Sequence, residues 1–161
     1  MTPAELFGRH TVVALDSNVL IYLFEGSGPL ADAAEAILDG IDDGAATGVL
    51  ASVGLTEVLT RPASLGDGAL FERYADELRS IPGLRVVPLD AETAVDAAWG
   101  RSGERDLGDA IHLATARHAG ATCFVTNDRR VRGRSGLEIV MLSAITTGES
   151  RPDAEQRSSA G

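Results

Sequence analysis

The stretch Val12-Val13-Ala14-Leu15-Asp16-Ser17-Asn18-Val19-Leu20-Ile21-Tyr22 constrains the fold more than any other part of the chain. It opens with four apolar residues in a row, two of them β-branched. A strand with one wet face would alternate, so an unbroken run reads as a strand covered on both faces, as in a parallel sheet. The run stops at Asp16, and Val19, Leu20, Tyr22 and Leu23 then recur at helical spacing. Asp16 or Ser17 is placed to cap that helix. A carboxylate therefore stands where a buried strand hands over to a helix. In open α/β sheets ligands bind at that edge, outside the strand C-termini.

The rest of the chain repeats the alternation. Leu30, Ala33, Ala34, Ile37, Leu38 and Ile41 predict an amphipathic helix over 30–43. A strand follows at 48–51, then a helix capped by Ser52 and ended by Pro62. Residues 67–80 read as a helix and 84–89 as a strand near a sheet edge, since Pro88 cannot donate to a ladder. Asp90 caps a helix over 91–100, and residues 106–119 form a strong helix closed by Gly120. Residues 122–126 and 137–142 are the last strands. This order predicts a three-layer α/β/α domain with a central, mostly parallel sheet of four or five strands. One domain is expected over residues 1–145, with a disordered, polar tail over 146–161.

Composition narrows the chemistry. All 14 basic residues are Arg and none is Lys. A Walker-A phosphate loop and Schiff-base catalysis both need a Lys. Receiver and haloacid-dehalogenase-like domains share the strand-then-Asp opening but normally use a Lys later in the chain. A net charge of −10 argues against broad, non-specific nucleic-acid binding, which rests on many cations. No apolar run nears the ~20 residues of a membrane span, and the first ten residues lack a signal-peptide pattern. With a single cysteine, Cys123, no internal disulfide can form. A cytoplasmic location is the expectation. Cys123 and Trp99 read as core packing.

Four acids fall at one edge of such a sheet. Asp16 ends the first strand, Glu57 lies near the start of the helix after the second, and Asp128 ends the 122–126 strand. Asp109 is in the first turn of the helix feeding that strand, and a crossover helix runs antiparallel to the strand it feeds. Clustered carboxylates repel unless a cation neutralises them. Hard ions such as Mg²⁺ or Mn²⁺ take carboxylate oxygens, activate water and offset charge on a leaving oxygen. Taken one at a time, each acid also has a plain structural role open to it: a cap, a first-turn acid, a surface residue or a turn residue.

The segments Leu15-Asp16-Ser17-Asn18-Val19-Leu20, Thr56-Glu57-Val58-Leu59, Asp109-Ala110-Ile111-His112-Leu113-Ala114-Thr115-Ala116 and Val125-Thr126-Asn127-Asp128 occur in the order and spacing of a known family. Over residues 11–142 the chain resembles the PIN-domain family, and most of all its VapC-type toxin ribonucleases. The resemblance implies a metal-dependent endoribonuclease in which Asp16, Glu57, Asp109 and Asp128 hold Mg²⁺ or Mn²⁺ and cleave RNA phosphodiester bonds. Asn18 and Thr126 match supporting positions. The family also implies a homodimer inhibited by a cognate antitoxin protein. Three other readings stay open: a non-catalytic RNA- or protein-binding module, a housekeeping RNA-processing nuclease, and a DNA or structure-specific nuclease.

Several residues sit at the margin of this assignment. Asp106 reads as a helix cap with Asp109 as its box partner. His112, one turn after Asp109 on an apolar helix, reads as a packed or hydrogen-bonded histidine. Arg129, Arg130, Arg132 and Arg134 follow Asp128 and are candidate contacts for RNA phosphates, because Arg forks match phosphate oxygens; Arg61 is a weaker one. The helices over 30–43 and 67–80 are candidate partner surfaces unless their apolar faces are core.

Overall fold

A computed structural model of the chain describes residues 1–101, 106–132 and 136–148. Its elements in order are α1 (Pro3–Arg9), β1 (Val12–Leu15), α2 (Ser17–Glu25), α3 (Pro29–Asp42), β2 (Thr47–Ala51), α4 (Ser52–Ser64), α5 (Gly68–Ser80), β3 (Leu84–Val87), α6 (Ala91–Gly100), α7 (Leu107–His118), β4 (Cys123–Thr126) and β5 (Glu138–Met141), followed by a 3₁₀ turn over Leu142–Ala144. Five parallel strands form one sheet in the order β3-β2-β1-β4-β5.

Strand pleating assigns the two faces. Val13 and Leu15 of β1 and Cys123 and Val125 of β4 enter one core with Leu6, Leu20, Ile37, Ile41 and Leu78 of α1, α2, α3 and α5. Ala14 and Phe124, the alternate positions, enter the other with Leu113 and Ala116 of α7. Both faces are therefore covered, which explains the unbroken apolar runs. Each fully buried Leu, Val or Phe contributes about 1.5–3 kcal/mol relative to exposure.

The chain steps outward from β1 to β2 and β3, then returns to the other side of β1 with β4 and β5. The order reverses between β1 and β4, and a crevice outside the C-termini of such a pair is where ligands bind in open α/β sheets. Asp16 and Thr126 stand at those two ends.

Several expectations need correction. Residues 3–9 form a helix that hydrophobic periodicity does not reveal; a Thr2–Glu5 capping box starts it. Pro62 does not end α4, which runs on to Ser64. Pro62 sits in the last turn, where a missing N–H leaves few later bonds to disturb. Trp99 is not core: it is 76% exposed and Val95 72%, because α6 buries Thr93, Ala97 and Gly100 instead. The apolar stripes of α3 and α5 are core, through Ala33, Ala34, Ile37, Leu38 and Ile41 and through Tyr74, Ala75 and Leu78. Thr146, where the expected tail begins, is tied to Met1 by a 2.8 Å backbone hydrogen bond. Residues 149–161 of that tail, and Arg134, lie outside the described residues. Among the described residues no helix is long and apolar enough to cross a membrane.

Candidate metal centre

Asp16 occupies the N-cap position of α2, yet its side chain makes no capping bond. Its carboxylate turns toward β4 instead. Oδ2 accepts from Thr126 Oγ1 at 2.5 Å and from Asn18 Nδ2 at 2.8 Å, and Ser17 Oγ donates to Oδ1 at 3.3 Å. Thr126 Oγ1 in turn accepts from Asn18 Nδ2 at 3.2 Å and from the Asp128 N–H at 3.0 Å. Asn18 Oδ1 accepts from the Asn127 N–H at 3.2 Å. These bonds cross the β1–β4 seam and fix the Asp16 carboxylate, which is 7% exposed. A charge so buried is costly unless hydrogen bonds or a cation compensate it.

Glu57, in α4, faces α7. Its Oε2 lies 2.8 Å from His112 Nε2. Burial works to raise the Glu57 carboxyl, but the hydrogen bonds from His112 and Ser17 outweigh it and hold the carboxyl below its ordinary range. The two helices approach closely because glycine stands at the contact. A Cβ on Gly108 would lie 2.8 Å from Glu57 Oε1, and one on Gly54 would lie 3.2 Å from His112 Cε1. His112 is 3% exposed, and its ring meets that of Phe124 at a centroid distance of 6.2 Å.

Asp16, Glu57 and His112 each offer a ligand atom, and these atoms lie within 4.8 Å of one another. Opposite ligands at ~2.1 Å from an octahedral ion stand about 4.2 Å apart, so a slight contraction suits one divalent cation. The two carboxylates suit Mg²⁺ or Mn²⁺, and the imidazole would join them only by giving up its hydrogen bond to Glu57.

The remaining predicted acids stand around this group. Asp109 is half-buried in the first turn of α7. Burial raises its carboxyl, and the charges of Asp16, Asp128 and Asp106 raise it further. Asp128 follows β4 and is gripped by Arg130, whose Nε and Nη2 donate to its two oxygens at 3.0 and 2.7 Å. That contact holds the Asp128 carboxyl low. Asp106 caps α7 through the Gly108 N–H at 3.4 Å, so its cap bond does not run to Asp109. Arg129 and Arg132 are exposed, with Arg132 donating to the Arg129 carbonyl, and Arg61 pairs with Glu25 at 2.6 Å. Cys123 is buried, which pushes its thiol up to about 12 and makes it a core residue. The sequence pointed to a packed or hydrogen-bonded His112 but not to its partner, Glu57. The i, i+3 spacing from Asp109 was the available signal.

The raised Asp109 carboxyl gives a prediction for the metal-free protein. A carboxyl raised in the folded state costs stability once it ionises. Asp109→Asn removes that cost, so the variant is expected to melt above wild type at pH 7 in EDTA. The gain is below about 1 kcal/mol, since the group keeps a wet side. It should vanish near pH 3, below the unfolded-state value of about 3.9. Thermal melts across this range check both the sign and the window.

The family model for the PIN domain matches residues 13–137. Among curated proteins no sequence matches the chain significantly. Solved structures show the same fold. The VapBC2 structure from Rickettsia felis, bound to a promoter DNA fragment, has a TM-score of 0.64 at 15% identity, covering 81% of this chain and 98% of that one. FitAcB from Neisseria gonorrhoeae has a TM-score of 0.61 at 20% identity over 83% and 99%. A toxin–antitoxin complex from Klebsiella pneumoniae has a TM-score of 0.57 at 18% identity over 78% and 94%. The family model spans β1 through the approach to β5 and so takes in Asp16, Glu57, Asp109 and Asp128: the chain belongs to the PIN domain family.

Proposed function

We propose that this chain is a divalent-metal-dependent endoribonuclease and the toxin of a toxin–antitoxin pair. The observation that carries the reading is the convergence of the Asp16 and Glu57 carboxylates within 4.8 Å, with His112 hydrogen-bonded to Glu57, beside the crevice between β1 and β4. When bound, Mg²⁺ or Mn²⁺ supplies a Lewis acid that activates water and offsets charge on the leaving oxygen. Asp16 and Glu57 hold the ion, and Asp109 and Asp128 flank it and complete the acidic wall. Thr126 and Asn18 keep the Asp16 carboxylate aimed. Arg129, Arg130 and Arg132 contact RNA phosphates, Arg130 by exchanging Asp128 for a phosphate oxygen. A local basic fringe of this kind lets a chain of net charge −10 hold RNA. The toxin role, the cognate antitoxin and the homodimer rest on likeness to the toxin–antitoxin structures.

The test is RNA cleavage by purified protein with Mn²⁺ or Mg²⁺, against EDTA and against Glu57→Gln. Cleavage that needs the ion and is lost in the variant supports the nuclease. A folded protein free of bound antitoxin that cuts nothing in a varied RNA panel favours the binding-module reading. Growth arrest on expression, relieved by the product of an adjacent small gene, supports the toxin role.

A further inference from the structure

We infer that His112 is a positioning residue that holds the Glu57 carboxylate by donating its Nε2–H, and that it is not itself a ligand of the metal. The inference rests on the metal-nuclease reading and deepens it. The geometry lies at the two ring nitrogens. Nε2 is 2.8 Å from Glu57 Oε2, a carboxylate oxygen that can accept. Nδ1 is fully buried and has no hydrogen-bond partner among the described residues. A proton on Nδ1 would be a buried donor with nothing to receive it, a costly arrangement. With the proton on Nε2 the Glu57 bond is charge-assisted, and Nδ1 presents only a lone pair.

A second buried polar atom lies on the same helix face. Thr115 Oγ1, three residues further along α7 and so on the same helix face, is also buried with no hydrogen-bond partner among the described residues. It makes no direct hydrogen bond to Nδ1, and a hydroxyl both donates and accepts, so the assignment stands on the Nε2–Glu57 contact. The His112–Glu57 bond then aims one carboxylate, as outer hydrogen bonds aim ligands in metal sites generally. A histidine ligating through Nε2 would need the opposite tautomer and would give up the Glu57 bond. Gly54 and Gly108 leave the space that this contact occupies: a Cβ on Gly54 would crowd the His112 ring, and one on Gly108 would crowd Glu57 Oε1.

Two measurements test the assignment. In ¹⁵N-labelled, metal-free protein, two-bond ¹H–¹⁵N spectra report which ring nitrogen of His112 carries the proton. The expected result is a protonated Nε2 and a bare Nδ1. In parallel, Mn²⁺ binding by calorimetry and RNA cleavage are compared for His112→Gln and His112→Leu, with melts to confirm folding. Gln places an N–H near the Nε2 position and should keep near wild-type Mn²⁺ affinity. Leu should lower affinity and kcat by about 10–100-fold, with KM for RNA little changed. A proton on Nδ1 with bare Nε2, or a Gln variant as impaired as Leu, overturns the proposal in favour of a ligand. A Leu variant equal to wild type overturns it in favour of simple packing. If wild-type protein binds no Mn²⁺ and Asp16→Asn changes nothing, the metal-nuclease reading itself fails. The spectrum alone then decides whether His112 holds Glu57.

Discussion

Asp16→Asn is expected to abolish divalent-cation binding and RNA cleavage while leaving the fold in place. The asparagine has the same shape and keeps one acceptor oxygen. It loses the charge that attracts the ion, and with its oxygen kept at the Oδ2 position facing Thr126 Oγ1 and Asn18 Nδ2, its NH₂ group is set against the Ser17 hydroxyl. The loss should exceed the roughly 100-fold that follows removal of a group supporting a ligand, because the proposed function makes Asp16 a ligand itself. Stability should move little, since two effects oppose each other. Weakened hydrogen bonds to a charged group cost about 1.5–3 kcal/mol, and the repulsion that raises the Asp109 carboxyl is relieved. Mn²⁺ titration, a cleavage assay and circular dichroism on one preparation check all three. Full metal-dependent activity in this variant would mean that the site lies elsewhere.

Phe124→Ala should be the most destabilising single change in the core. Phe124 is 2% exposed in interior strand β4, pairs with Ala14 of β1 and Ile139 of β5, and shares a cluster with Leu113, Ala116, Val131 and Leu137. Truncation leaves a cavity between the sheet and α7. Buried Phe→Ala changes cost about 3–5 kcal/mol, out of a total stability of roughly 5–15 kcal/mol. Denaturant unfolding should show a lowered midpoint with an unchanged slope. Because the Phe124 ring also packs against His112, whatever fraction stays folded should bind Mn²⁺ more weakly. Phe124→Leu, which nearly fills the space, should cost below about 1.5 kcal/mol. An alanine variant as stable as wild type would mean that α7 does not rest on the sheet as described.

Most of the secondary structure was legible from the chain because its signals are local. The run Val12–Leu15 followed by helical spacing from Val19 marks β1 and α2 at the bounds observed. Asp90 caps α6 through the Thr93 N–H, and Asp67 caps α5 through the Leu70 N–H. Gly120, at φ 81°, takes the left-handed conformation that ends α7. Parallel pairing followed from strands without an alternating face, and the expectation that Asp16, Glu57, Asp109 and Asp128 share one edge was drawn from the directions of the strands and of the crossover helices. The Thr2–Glu5 box of α1 was also written in the sequence, but the helix is a seven-residue element with one buried residue and no periodicity to read.

Tertiary structure decided what depends on residues far apart in sequence. The strand order that places β4 beside β1 turns the Asp16 side chain from a helix cap into an acceptor for Thr126, 110 residues away. The approach of α4 to α7 joins Glu57 to His112 across 55 residues. Which face of α6 is wet, and so the exposure of Trp99, depended on where α7 packs. Periodicity reports which side of an element is apolar, and capping residues report where it ends. Neither carries the distance between two elements or the partner that a buried polar atom finds there, because close packing of the whole chain sets both.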